Sequence, residues 1–445
     1  GLQAINRRRE PPPASPRFFG RFKWHLAASA LTLLIGLYCS TGTLAPYGDT
    51  GNPTYSPPHN YLYNGDHVHF KVLFDFVNGQ PRAIWNGAIF LRRILFPVLC
   101  YPFMKLWGFE TGGTIGSIAL NIAGFVAFIL ILRRQVGERG AILAAWLLAL
   151  YPGATYWGGL PYVYSIIFPA SLLLGSALFA LHRADRISRI ALVSLLMGVA
   201  YLGYDLIIFF LPASLFVLLL SRRKPGAAAV SVLCQIAPLL GWLVIMRYGL
   251  GQPLENSNST SYHMVFDAYR HFGAQAHWRE ATRAVPDIAL SVFFGANFFF
   301  LPALFLGLLA INAVTSRIRL HPAEIALFAT ALILFLFNNL APHYGGPWQM
   351  RGIWISRLYQ PVFPAFIFFA ARWFQALPLL RRPAWAGIGV TLLAIGIGNF
   401  LIVFGPILDN PLHVSEEAFY HFYDHADHSN YETLLTRFGR RPLGF

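Results

Sequence analysis

Three aspartates stand where an acid could do chemistry. Asp49 and Asp66 lie in a long segment after the first apolar run, and Asp205 interrupts the apolar stretch AYLGYDLIIFF. A carboxylate so placed can take a proton from a hydroxyl. Each also has a plainer reading. Asp66 opens an amphipathic helix and suits an N-cap. Asp49 sits in the Gly/Pro-rich APYGDTGNPTY and suits a turn. Asp205 is an intramembrane acid if the helix runs through it, and a water-edge residue if a hairpin turns there. Arginines supply the complementary charge: the pair Arg92 and Arg93, and Arg351 and Arg357 beside His343, Tyr344 and Trp348. A guanidinium fork matches an oxyanion such as phosphate, whereas a single arginine at a membrane edge often only snorkels to the surface. His421 and His425 form an i, i+4 pair near Asp424 and His428. Such a pair can hold a metal, but a solvated amphipathic helix accounts for it, and no metal ligand is assigned. Neither GxxxxGK[ST] nor GxGxxG is present, so no nucleotide loop is expected.

The elements that must position these groups follow from periodicity. After Asp66, the apolar Phe70, Leu73, Phe74 and Val77 recur at i, i+3, i+4 and i+7, one face of a helix. Gly79 and Pro81 end it. Residues 88–107, AIFLRRILFPVLCYPFMKLW, form a second apolar piece. Arg92 and Arg93 in its first half, with Pro97 and Pro102 beyond, argue against a free-standing membrane span. It reads as a helix in or near a membrane interface.

The whole chain is membrane material. Of 445 residues, 56% are hydrophobic and only 12% charged, with a mean hydropathy of +0.51. Soluble chains carry about 25% charged residues, so a soluble enzyme, a disordered chain and a disulfide scaffold are excluded. Cys39, Cys100 and Cys234 share no motif spacing. The apolar blocks fall near the ~20 residues that cross a bilayer as helix, and about eleven are legible: 24–43, 113–132, 140–157, 163–181, 190–204, 206–221, 227–248, 288–313, 324–341, 358–375 and 386–407. The expected fold is an all-α polytopic membrane protein with interfacial helices in its first outer loop.

Charge sets the orientation. A basic arm (Arg7, Arg8, Arg9, Arg17, Arg21, Lys23) precedes the first apolar run, which reads as an uncleaved signal anchor. Starting inside, the short loops 133–139, 182–189, 222–226, 314–323 and 376–385 are cytoplasmic and rich in arginine, with Glu138, Asp185 and, at the start of the following span, Glu324 as the few acids there. That is the positive-inside pattern. It also explains the net charge of +15 without nucleic acid. The chain therefore divides into a cytoplasmic arm 1–23, a transmembrane domain 24–407 with outer loops 44–112, 250–287 and 342–357, and an extracytoplasmic tail 408–445. Short loops on one side and long ones on the other suggest chemistry at one face. In 250–287, DAYRHFGAQAHWREATRAV reads as a helix, either a lid over a groove or a cap on the bundle.

The order Gly65-Asp66, interfacial helix, Gly79-Gln80-Pro81, Arg92-Arg93, Pro97 and Pro102 resembles the first extracytoplasmic loop of the GT-C superfamily of polyprenyl-phosphate-sugar-dependent glycosyltransferases. The stretch Tyr156–Ser165 resembles that family's second outer loop, where members often carry Glu or Asp and this chain has Tyr164. Arg357-Leu358-Tyr359-Gln360-Pro361 resembles the start of a late helix in many members. The layout covers most of residues 20–407.

The resemblance implies a sugar carried on a lipid phosphate and passed to a glycan, lipid or protein acceptor outside the cytoplasm, at a bacterial inner or plasma membrane. One base must take the acceptor proton, and cations must hold the departing phosphate. On that reading Asp66 is the base, with Asp49 as rival or partner. Arg357, Arg92, Arg93 and Arg351 are the phosphate ligands, Arg357 foremost. Asp205, Tyr162, Tyr164, His343 and Trp348 are candidates for substrate contact, against interfacial anchoring for the aromatics. Family members differ in their use of a divalent cation, magnesium or manganese, so none is assigned. Two other classes compete. A transporter or lipid flippase would place polar groups at mid-membrane depth. A non-catalytic assembly subunit would tolerate Asp66→Asn.

Overall fold

The computed structural model describes residues 16–41, 93–150, 158–159, 163–221, 225–249, 320–340 and 360–376. Within them the chain forms helices α1 (Pro16–Thr41), α2 (Leu95–Trp107), α3 (Phe109–Ala149), α4 (Ile167–Arg183), α5 (Ile187–Tyr201), α6 (Phe210–Leu220), α7 (Pro225–Val244), α8 (Pro322–Leu340) and α9 (Phe363–Ala376). Short 3-10 turns at Val163–Ile166, Asp205–Phe209 and Gln360–Val362 lead into α4, α6 and α9, and a π turn at Ile245–Gly249 extends α7. The described residues contain no strand.

Long apolar runs make these helices, and glycine and proline punctuate them. Gly108 (φ 82°) separates α2 from α3, and Gly137 (φ 71°) bends α3 within the arginine-rich stretch expected to be a loop. Both conformations are left-handed and suit residues without a Cβ. α3 thus joins two expected spans across a kink. Pro322 occupies the first turn of α8, and Glu324 accepts the His321 backbone N–H at 3.0 Å. This is the reciprocal half of a capping box.

The expected interfacial helix is present as α2. It starts at Leu95 and runs on through Pro97 and Pro102, the prolines that argued against a membrane span there. Pro97 lies in the first turn, where no intrahelical donor is lost. Pro102 is held by packing. Phe96, Pro97, Cys100 and Met104 are buried against the bundle. On α3, a Cβ at Gly112 would sit 2.3 Å from the Phe103 carbonyl oxygen, and one at Gly116 would sit 2.8 Å from Cys100 Sγ. Small residues four apart let the two helices touch backbone to backbone. At ~1.5 Å per residue, α2 is too short to cross ~30 Å of hydrocarbon.

Burial is arranged for lipid. α4 is the central helix, and α3, α5, α6, α8 and α9 pack on it. Leucines 31, 34, 192, 195, 196, 219, 233 and 240 are exposed on the perimeter, while Ser171, Ser176, Ser194, Ser214, Ser231 and Gln235 are buried. Water would reverse that pattern; a bilayer explains it, since only polar contacts and close packing distinguish the helix side from the lipid side. Gln235 Nε2 donates to Ser214 Oγ (2.7 Å) and Ser231 Oγ (2.9 Å), and Gln235 Oε1 accepts from Tyr201 Oη (2.6 Å). Ser231 Oγ in turn lies 2.7 Å from Ser194 Oγ. The network ties α5, α6 and α7. By length and composition, helices Thr111–Ala149, Tyr164–Arg183 and Pro225–Gly249 can cross a membrane, and shorter apolar helices accompany them.

Candidate functional site

Three turns meet at one end of the bundle. The first is the turn that precedes α2 and carries Arg93. Its position is fixed by a long-range backbone bond, Leu95 N–H to the Leu202 carbonyl at 3.2 Å. The second is the Val163–Ile166 turn, which carries Tyr164. The third is the hairpin after α5, where Tyr204 adopts an extended conformation (φ −162°, ψ 144°) and Asp205 begins the next 3-10 turn. The Arg93 guanidinium carbon lies 4.3 Å from the centre of the Tyr204 ring and 5.9 Å from that of Tyr164. The two rings meet edge to face at 5.7 Å. Arg93, Tyr164 and Tyr204 are all buried.

The second turn is clamped from α3. Ser117 Oγ donates to the Gly158 carbonyl at 2.6 Å. Asn121, one helical turn further, donates from Nδ2 to the carbonyls of Gly158 (3.3 Å) and Ser165 (3.1 Å). Residues four apart share a helix face, so one stripe of α3 holds the turn that carries Tyr164. A Cβ at Gly158 would approach Asn121 at 2.9 Å, which keeps that turn tight against α3.

A cation against aromatic faces is stabilised by the ring quadrupoles, by about 0.5–2 kcal/mol depending on desolvation. The ring lies flat to the guanidinium plane or across it, and the N–H bonds point along that plane. An arginine is also the side chain whose planar fork matches an oxyanion.

The opposite end is built from other groups. His182 and His321 stack in parallel, with ring centres 4.8 Å apart and planes 4° from each other. His182 Nδ1 lies 2.9 Å from Ser221 Oγ. Glu324, 2% exposed, is 3.2 Å from Arg372 Nε and 3.7 Å from His321 Nε2. Arg183 donates to Gln135 at 3.0 Å, Arg133 pairs with Glu138, and the Arg133 guanidinium lies 4.5 Å from the Phe22 ring. Parallel imidazole planes cannot aim their in-plane lone pairs at one ion. No group of three metal-ligating side chains exists among the described residues.

Of the residues singled out in the sequence, the structure brings Arg93 and Tyr164 into contact and places the Asp205 backbone beside Tyr204. The hairpin turn does lie at Leu202–Tyr204, just before Asp205. Asp49, Asp66, Arg92, Tyr162, His343, Trp348, Arg351 and Arg357 lie outside the described residues, as do His421 and His425. Sequence reasoning missed Tyr204, Ser117 and Asn121. The signal for Asn121 was an amide inside an apolar run, which a membrane helix carries at a cost.

No family model matches the chain, and no curated protein matches it. Solved structures do. The chain is similar to ArnT from Cupriavidus metallidurans bound to undecaprenyl phosphate, with a TM-score of 0.54 and 14% identity over 92% of this chain and 68% of that one. It is similar to the apo state of the same protein with a TM-score of 0.52 and 13% identity, over 91% of this chain and 68% of that one. ArnT is a GT-C glycosyltransferase. Apolar helices, an inside-out burial pattern and this likeness over nearly the whole length agree: the chain is a multi-pass, all-α membrane protein with the GT-C glycosyltransferase fold.

Proposed function

We propose that the protein is an integral-membrane glycosyltransferase that moves a sugar from a polyprenyl-phosphate donor to a glycan, lipid or protein acceptor at the extracytoplasmic face. The observation that carries this reading is the buried Arg93 at the convergence of three turns, in a chain whose fold is shared with a protein crystallised with undecaprenyl phosphate. The same lipid phosphate, or a close homologue, is the carrier proposed here.

In the reaction the acceptor oxygen forms a bond to the anomeric carbon, and the bond from that carbon to the phosphate oxygen breaks. The electron pair leaves with the polyprenyl phosphate. Asp66 takes the acceptor proton, with Asp49 as the alternative base. Arg93 and Arg92 from the first outer segment, with Arg357 and Arg351 from the segment before α9, neutralise the phosphate as its charge grows. Asp205, Tyr162, Tyr164, His343 and Trp348 border the substrates.

The orientation rests on charge. Arg133, Arg134, Arg139, Arg183, Arg186, Arg189 and Arg372 gather at the end opposite Arg93. The positive-inside rule makes that end cytoplasmic, and the Arg93 end extracytoplasmic. A bacterial inner membrane is the proposed location.

The test is transfer in vitro by the purified full chain in lipid, across a panel of polyprenyl-phosphate sugars, for the wild type, Asp66→Asn and Asp49→Asn. The expected result is transfer with one donor class and its loss in Asp66→Asn. Transfer that survives both substitutions would overturn the mechanism. Equilibration of a labelled lipid across vesicles without sugar transfer would favour a flippase.

A further inference from the structure

We propose that the seam between α3 and α4, at the arginine-rich end of the bundle, holds an anionic diacyl phospholipid of the inner leaflet. Arg134 and Arg183 bind its phosphate, and an acyl chain lies along the seam. This goes beyond sugar transfer and takes from the proposed function only the orientation of the bundle.

Two contacts define the seam. A Cβ at Gly124 of α3 would lie 2.5 Å from the Pro169 Cβ of α4. Further along, Arg183 donates to Gln135 Oε1 at 3.0 Å. The contacts come in the same order on both helices, so α3 and α4 run side by side in one direction. At about 100° per residue, the residues left outside the seam turn to the same side of it. On α3 these are Ala123, Ala127 and Leu130, and on α4 Leu173, Ala177 and Ala180. Ala127 and Ala177 are half-buried and the other four are exposed. Every other residue of α4 from Ile167 to Leu181 is buried, so this stripe is where the central helix meets lipid. Alanine on both walls leaves a furrow that larger side chains would fill.

Both stripes end in arginine. Arg134 lies one turn beyond Leu130 on the same face of α3, and Arg183 one turn beyond Ala180 on α4. Both are exposed. Arg134 makes no hydrogen bond or ion pair with the described residues, and Arg183 is bonded to an amide, which carries no charge. Their neighbours differ: Arg133 pairs with Glu138, and Arg189 with Asp185. Two guanidinium groups without a carboxylate thus stand at the mouth of an apolar furrow.

The dimensions match one leaflet. From Leu173 to Arg183 the helix rises about 15 Å, half of the ~30 Å hydrocarbon core. The arginines then fall at head-group level. A guanidinium fork fits a phosphodiester, and each cation near the inner surface adds attraction for acidic lipid. A zwitterionic head group brings its own cation and gains less.

The experiment counts lipids retained by the full chain in native mass spectrometry, as dioleoylphosphatidylglycerol or dioleoylphosphatidylcholine is titrated into detergent. The wild type should prefer the acidic lipid about twentyfold. Arg134→Gln and Arg183→Gln should each weaken its binding about fivefold, and the double variant should bind the two lipids alike. Arg189→Gln, outside the furrow, should match the wild type. Ala180→Phe fills the furrow with both charges intact and should weaken both lipids; if it does not fold, Ala127→Phe does the same from the other wall. A preference that survives the double variant overturns the proposal. So does one that falls equally in Arg189→Gln, since that is general surface charge. Displacement of the acidic lipid by inorganic phosphate at equal concentration would also overturn it, because the furrow would then add nothing. Displacement by polyprenyl phosphate at lower concentration would overturn it too, making this a place for the sugar carrier. The readout needs no turnover, so it stands or falls separately from the transfer assay.

Discussion

The two ends of the bundle hold cations by different means. At one end the Arg93 guanidinium carbon lies 4.3 Å from the centre of the Tyr204 ring and 5.9 Å from that of Tyr164. At the other Arg372 is held by Glu324, whose carboxylate also caps α8 through the His321 N–H. A guanidinium paired with a carboxylate has its charge spent on the fold. The first end thus gathers a cation with aromatic rings, and the second a cation with a carboxylate that also closes a helix end.

Substitutions can break that contrast or sharpen it. The largest effect is expected from Glu324→Gln. It would leave Arg372 without its carboxylate and weaken the cap of α8, at a cost of about 3 kcal/mol. Unfolding in detergent would show it, and the folded fraction should still transfer sugar at the wild-type rate. Arg93→Gln should do the reverse. Transfer should fall about a hundredfold, as for loss of one donor to a developing anion, while unfolding shifts by no more than about 1 kcal/mol. Equal losses of stability at both ends would remove the distinction. Asn121→Leu lies between. It strips the clamp from the Gly158 and Ser165 carbonyls, so about 1 kcal/mol of stability should go, along with part of the donor affinity. Arg189→Ala calibrates the lower limit. Its pair with Asp185 is exposed and spans i, i+4, so a loss of ~0.3 kcal/mol is expected, with transfer unchanged.

Much of the fold was legible because a membrane helix declares itself locally. Each apolar run needs only its own residues to satisfy its backbone, so length and hydropathy reveal it. The alternation of arginine-rich and arginine-poor turns placed Tyr164 and Asp205 at one end, where the described turns do meet. What stayed hidden was lateral. Nothing in the spacing of Arg93 and Tyr204 says that their turns are neighbours, because helices of equal hydropathy can be arranged around a centre in many orders. Tyr204 is one of twenty tyrosines, with nothing in its spacing to mark it. Glu324 read as a loop charge, although His-Pro-Ala-Glu carries the spacing of a cap. α2 continued through Pro102 because its glycine-lined neighbour supports it, a context that local rules leave out.

The hydroxyl and amide column through Gln235 bears on how α7 finds its seat. Only 17% of the apolar window of α7 is covered by protein, so greasiness alone gives it no reason to prefer the bundle to surrounding hydrocarbon. Tyr201 and Ser214 reach the Gln235 amide from α5 and α6, and Ser194 reaches Ser231 one turn away on α7, so sliding α7 by a single position would undo these cross-helix bonds together. Gln235 thus works as a notch that sets depth and rotation in one step. The lipid-facing leucines can drift among apolar types, while that one side chain decides whether the helix is parked correctly.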